Sequence, residues 1–154
     1  MTANTNPIYS IASDLQNGGK FNSTTIIGPS ANTATDGTGA NMYQIYVGAG
    51  TSGNFVQKCI FKAVASPAAT CIRVWWGNFT GTYTANTTNT AATMSMVAEL
   101  TTAAWTASNT LASPQYEVPI NIVVPTGTSL LASFGTSTGS AGNGFTTLTV
   151  AGQY

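Results

Sequence analysis

Histidine is absent from this chain, and only eight of its 154 residues are charged, four Lys or Arg against four Asp or Glu. Losing histidine removes the most frequent general base, the Ser-His and Cys-His nucleophile pairs and the commonest metal ligand. A charged fraction of 5% compares with roughly 25% in ordinary globular domains. With zero net charge, the chain has no electrostatic footprint for nucleic acid or an anionic membrane, and neither is expected as a partner. No apolar run approaches the roughly 20 residues that a membrane helix requires. Met1 to Asn6 are polar and are not followed by an apolar stretch, so no secretory signal is expected. The sequons at Asn22, Asn78 and Asn86 then carry no weight.

Cysteine is scarce too. Cys59 and Cys71 are expected to be reduced thiols, small apolar core residues on neighbouring strands. Two thiols without histidine make an incomplete ligand set, so no metal and no cofactor are expected. The carboxylates are Asp14, Asp36, Glu99 and Glu117. Glycoside hydrolysis needs two of them facing each other across about 5–10 Å. Glu99 and Glu117 fall in expected strands, but they read as solvated or ion-paired residues of an outer sheet face. Asp36-Gly37 and Gly142-Asn143-Gly144 read as turns. No catalytic residue is assigned, and the chain is expected not to be an enzyme.

What the chain does have is threonine, serine, asparagine and glutamine around short apolar or β-branched runs, punctuated by Gly, Asn, Pro and Ser clusters. That pattern predicts an all-β, antiparallel two-sheet sandwich, jelly-roll-like, of about eight strands. An immunoglobulin-like sandwich has a similar strand count and stays open at this point. Strands are expected over 23–27, 42–47, 55–64, 70–76, 94–100, 115–120, 129–134 and 145–150. Residues 55–64 and 70–76 read as a hairpin about Ser66-Pro67, because Pro67 suits a turn and would break a central strand. In the first strand Phe55, Cys59, Phe61 and Ala63 are expected on one face with Lys58 and Lys62 on the other. In the second, Ile72, Val74 and Trp76 oppose Cys71, Arg73 and Trp75. The connections 77–93 and 101–114 are long enough to hide a short extra strand. A hydrophobic fraction of 43% fills one core, so residues 21–154 are read as a single domain. Residues 1–20, with scattered Ile8, Tyr9, Ile11 and Leu15 before Gly18-Gly19, read as an extended N-terminal arm.

The aromatic residues are the candidates for recognition. Consecutive strand residues face opposite sides, so Trp75 or Trp76 can fill the core while at least one of the pair must leave its own core or lie between subunits. Trp75 and Trp105, with Phe79 and Tyr83 in the long connection, could anchor a protein partner or line a sugar groove. The protein partner is the favoured reading. Tyr9, Ile11 and Leu15 of the arm are the other expected partner contacts. A surface so poor in charge has little protection against association, which points to a protein found in a complex.

From Lys58 onward, about the C-terminal two thirds, the chain resembles a family of small structural proteins of tailed-bacteriophage virions. The resemblance is carried by Lys58 to Lys62, Arg73-Val74-Trp75 before Gly77-Asn78, and Ala98-Glu99-Leu100. It continues through Tyr116-Glu117-Val118-Pro119-Ile120-Asn121, Pro125-Thr126-Gly127 before Leu130-Leu131, Gly135-Thr136 and the closing Gly152-Gln153-Tyr154. Gln153 departs from the acidic residue expected there, and the arm shows no match. The resemblance implies an auxiliary capsid protein of the cement or decoration type. Such a protein is made in the host cytoplasm and sits on the outer surface of the virion head. It is often a homotrimer and bridges subunits of the major capsid protein. No catalytic residues come with that family.

Overall fold

The computed structural model describes residues 27–48, 53–78 and 91–153. Seven strands lie among them: Tyr43–Val47 (β1), Asn54–Val64 (β2), Thr70–Asn78 (β3), Met94–Thr102 (β4), Gln115–Val124 (β5), Thr128–Phe134 (β6) and Gly144–Gln153 (β7). A single 3-10 turn, Ala91–Thr93, leads into β4. The strands form two antiparallel sheets, one of order β1-β6-β3-β4 and one of order β5-β2-β7. Ile27 adds an isolated antiparallel bridge to Phe145 on β7.

The pairs are nested. Ile27 meets β7, β1 meets β6, β2 meets β5 and β3 meets β4. The chain is therefore one long hairpin whose two arms roll up together, which is the jelly-roll arrangement. An immunoglobulin-like sandwich distributes its strands differently. All seven strands match expected segments, with β3, β4, β5 and β7 running on by two to four residues. Of the eighth, 23–27, only Ile27 lies within the described residues; the arm, 1–20, lies outside them. Residues 103–114 hold no strand.

The expected hairpin at Ser66-Pro67 is corrected. β2 and β3 are neighbours in sequence but belong to opposite sheets. The link between them has Ala65 at φ 54°, and it is tied to other loops instead of closing a turn. The Trp105 amide donates to the Pro67 carbonyl (3.0 Å), the Ala68 amide to the Thr138 carbonyl (2.9 Å) and the Ser66 amide to Asn143 Oδ1 (3.2 Å). Proline punctuates a chain reversal and a crossover equally well, so it could not distinguish them.

Between the sheets lies a core of Val56, Cys59, Phe61, Ile72, Val74, Val118, Val124, Leu130, Ala132, Phe134 and Phe145, among others. Phe134 and Phe145, one from each sheet, stack with ring centroids 5.8 Å apart. Phe55 is the exception to the expected facing. A register shift between Val56 and Lys58 inserts an extra residue, so Val56 is buried and Phe55 moves to the outer face.

Candidate partner-binding surface

The two outer faces of the sandwich differ. That of β1-β6-β3-β4 is covered by the chain itself. Residues 28–42 cross it, held by the Asn32 amide to the Phe134 carbonyl (2.7 Å) and by Arg73 Nη1 to the carbonyls of Asn32 and Ala34 (3.3 and 3.4 Å). Beneath lies a second, smaller core of Met42, Trp75, Met94 and Leu131. Trp75 is 1% exposed, and its Nε1 donates to Ser133 Oγ at 2.8 Å. The expectation that Trp75 anchors a partner is thereby corrected, because its indole is enclosed by its own chain. The argument from Trp75 and Trp76 assumed one core, whereas the sheet has one on each face. Trp76 packs half-buried against the main core, with Nε1 donating to Thr128 Oγ1 at 3.2 Å.

The β5-β2-β7 sheet is built differently. In β7 the alternation runs against the usual rule. Phe145 and Thr147 are buried, and Thr149 points inward, with its Oγ1 3.7 Å from the Cys59 sulfur and donating to the Ile45 carbonyl at 3.3 Å. Leu148 and Val150 must then face outward, since successive strand residues alternate. Leu148 stands opposite Ile60, and Phe55 opposite Val123. The outer face thus carries Phe55, Ile60, Val123, Leu148 and Val150, interleaved with Lys58 and Lys62 of the central strand β2 and with Glu117 of β5 opposite Ile60. A Lys58 Nζ–Glu117 Oε2 ion pair of 2.7 Å crosses it from β2 to β5, and Lys58 holds the Glu117 carboxyl below the usual glutamate range. Of these apolar residues Val123 is 37% exposed and the other four are part-buried. Sequence reasoning missed this face, because a Thr-apolar alternation ordinarily buries its apolar half; the signal was Ile60 between two lysines.

Trp105 sits elsewhere, half-buried at the core margin. It lines a shallow groove with Ala63, Val64, Ala107, Ser108, Leu111 and Ser113, where Leu111 is 63% exposed. Trp75 and Trp105 are therefore not brought together. Tyr9, Ile11, Leu15, Phe79 and Tyr83 lie outside the described residues.

The two strand carboxylates are also kept apart. Glu99, on β4, accepts from Arg73 Nε at 2.8 Å and from the Cys71 thiol at 3.1 Å on the four-stranded sheet. Glu117 pairs with Lys58 on the other sheet. Cys71 and then Arg73 hold the Glu99 carboxyl below its usual range. Each is an ion-paired surface residue on its own outer face, as expected. Both cysteines are free. They lie on different sheets, so the expectation of neighbouring strands is corrected. Burial pushes the Cys59 thiol up to about 12; desolvation, with the Glu99 hydrogen bond, pushes Cys71 up to about 11. Only Cys59 is a core residue. Cys71 lies on the outer face of β3, beside Arg73.

Comparison with protein-family models, curated proteins and solved structures finds no match to this chain.

Proposed function

We propose that this chain is a non-enzymatic virion structural protein, a cement or decoration protein that binds the outside of a phage head and bridges major capsid subunits. The observation that carries the reading is the reversed alternation of β7, which turns Leu148 and Val150 outward beside Ile60 on a sheet face where all three stay only part-buried. Apolar side chains spent on an outer face gain their burial energy only when something covers them. The other requirement of a cement is stiffness. Two sheets locked by nested pairing supply it, and among the described residues no buried side-chain nitrogen or oxygen lacks a hydrogen-bond partner. The resemblance of residues 58–154 to phage structural proteins gives the partner, the major capsid protein, and favours a homotrimer. Tyr9, Ile11 and Leu15 of the arm extend the contact to a neighbouring subunit or the capsid floor.

The test is to purify particles of the phage that encodes the chain and locate it by labelling. Copies are expected over the outer head surface, and a chain lacking residues 1–20 is expected to fold but not to occupy heads. Normal occupancy by that truncation contradicts the role given to the arm.

A second reading rests on the Trp105 groove, whose indole, two serine hydroxyls and exposed Leu111 suit a receptor- or sugar-binding module of a head fibre or tail. Labelling confined to a fibre or tail, with glycan binding lost in Trp105→Ala, is the outcome that favours it.

A further inference from the structure

Two backbone irregularities meet on the β5 half of the outer face. Against β7, strand β2 carries one extra residue, Gln57, between Val56 paired with Ala151 and Lys58 paired with Val150. Against β5, the same Gln57 stands opposite two residues, Ile120 and Asn121, between the pairs Val56–Ile122 and Lys58–Pro119. Asn121 lies at φ 53°, the left-handed region that asparagine tolerates better than most residues. Bulges of this kind re-aim side chains. Here Ile120 is buried, while Gln57, Lys58 and Asn121 line one groove of about 280 Å³ together with Glu117 and Pro119. Lys58 is half-buried and the other four are exposed. Among the described residues, the side-chain amides of Gln57 and Asn121 have no hydrogen-bond partner. Lys58 uses one of its three N–H groups on Glu117 Oε2, at 2.7 Å.

We infer that this groove binds a neutral saccharide through a vicinal pair of ring hydroxyls. A hydroxyl both donates and accepts, so it is matched by a donor and an acceptor side by side. The polar groups of the groove supply that combination throughout. Each primary amide carries its carbonyl beside its NH2, and the Lys58 ammonium lies against the Glu117 carboxylate. The two charges cancel, so nothing in the groove favours an ionic ligand over a neutral one. Among the described residues no aromatic ring lines it, which removes the stacking platform that a nucleobase uses. Pro119 is its one apolar lining residue, too little for a lipid chain but suited to the C–H face of a sugar ring. The groove shares no residue with that of Trp105. It also lies on β2 and β5, whereas Leu148 and Val150 belong to β7. The inference therefore stands whether or not the apolar half of the face meets a capsid subunit.

Amide NMR of the full chain, titrated with the methyl glycosides of glucose, galactose, mannose and N-acetylglucosamine, tests this. At least one probe is expected to shift the backbone signals of Gln57, Lys58 and Asn121 and the side-chain amide signals of Gln57 and Asn121, saturably. Two variants check the contacts. Asn121→Gly removes the amide while leaving a positive φ easy to adopt, and Gln57→Ala changes an exposed side chain. Each is expected to weaken binding about tenfold, the effect of losing one hydrogen bond, with the remaining amide spectrum unchanged. The methyl glycoside of glucuronic acid, the glucose ring with a carboxylate, is expected to bind no more tightly than that of glucose. Absence of a saturable shift with all four neutral glycosides overturns the inference. So do shifts confined to Ala107, Ser108 and Leu111 of the Trp105 groove, tighter binding of the acidic sugar, or undiminished affinity in both variants.

Discussion

Trp75 shows how one residue can be misjudged from its neighbours. Its alternation with Trp76 holds, and its indole does leave the main core, but the chain supplies a cover of its own in residues 28–42. Trp75→Ala removes a fully buried ring together with its hydrogen bond to Ser133. A loss of about 3–5 kcal/mol is expected by urea denaturation, the usual cost of truncating a buried aromatic. A loss below 1 kcal/mol, on the order of an exposed site, would show that the cover is not closed. The thiols give a pH prediction. In the unfolded chain Cys59 ionises near its ordinary 9.0, whereas in the fold burial holds it protonated to about 12. A raised folded value means that stability is fully present below pH 9 and declines as pH climbs toward 12. Denaturation at neutral and at alkaline pH is expected to show this decline, and Cys59→Val to make it shallower. An identical slope in the variant would assign the loss to other groups.

At the scale of elements, the decisive piece is the crossing segment 28–42. Gly37, at φ +85°, lies so close to β4 that a Cβ built there would stand 2.3 Å from the Met94 Cβ. Gly37→Ala therefore adds backbone strain to a clash within the second core, and a destabilisation of about 1–3 kcal/mol is expected. Altered near-ultraviolet dichroism from Trp75 is the accompanying check; an unchanged spectrum and stability would mean that the segment simply shifts. The strands themselves were legible in the sequence because short β-branched runs between turn residues report local geometry. Which sheet each strand joins was not. The crossover after Val64 and a hairpin turn present the same Ser-Pro punctuation, and only contacts distant in sequence, such as Ala68 with Thr138, separate them. The bulge that turns Phe55 outward is equally silent, since one extra residue leaves no compositional trace. For the candidate surface, the ion-paired roles of Glu99 and Glu117 followed from their strand positions. The outward Leu148 and Val150 did not, because threonine is at home on either face of a strand. Thr149 earns its inward place through Cys59 and the Ile45 carbonyl, partners that no local pattern announces.

For the whole molecule, the account is mechanical. A rolled-up hairpin ties distant parts of the chain together, so a load on either sheet is shared across strand pairs instead of being borne by one loop. Among the described residues one outer face is crossed by residues 28–42 and the other mixes part-buried apolar side chains with Lys58, Lys62 and Glu117, and under the proposed function the second is the side that meets a neighbour. The measurement that tests this most directly is the temperature at which DNA-filled heads stripped of the protein release their DNA, with and without the purified full chain added back. The account predicts saturable binding and a higher release temperature, both diminished by the paired substitution of Leu148→Thr and Val150→Thr, which keeps the strand while making the outer face polar. Failure of the intact protein to bind, or heads that release DNA at the same temperature with it bound, would contradict the claim that this chain works by fastening one subunit to the next.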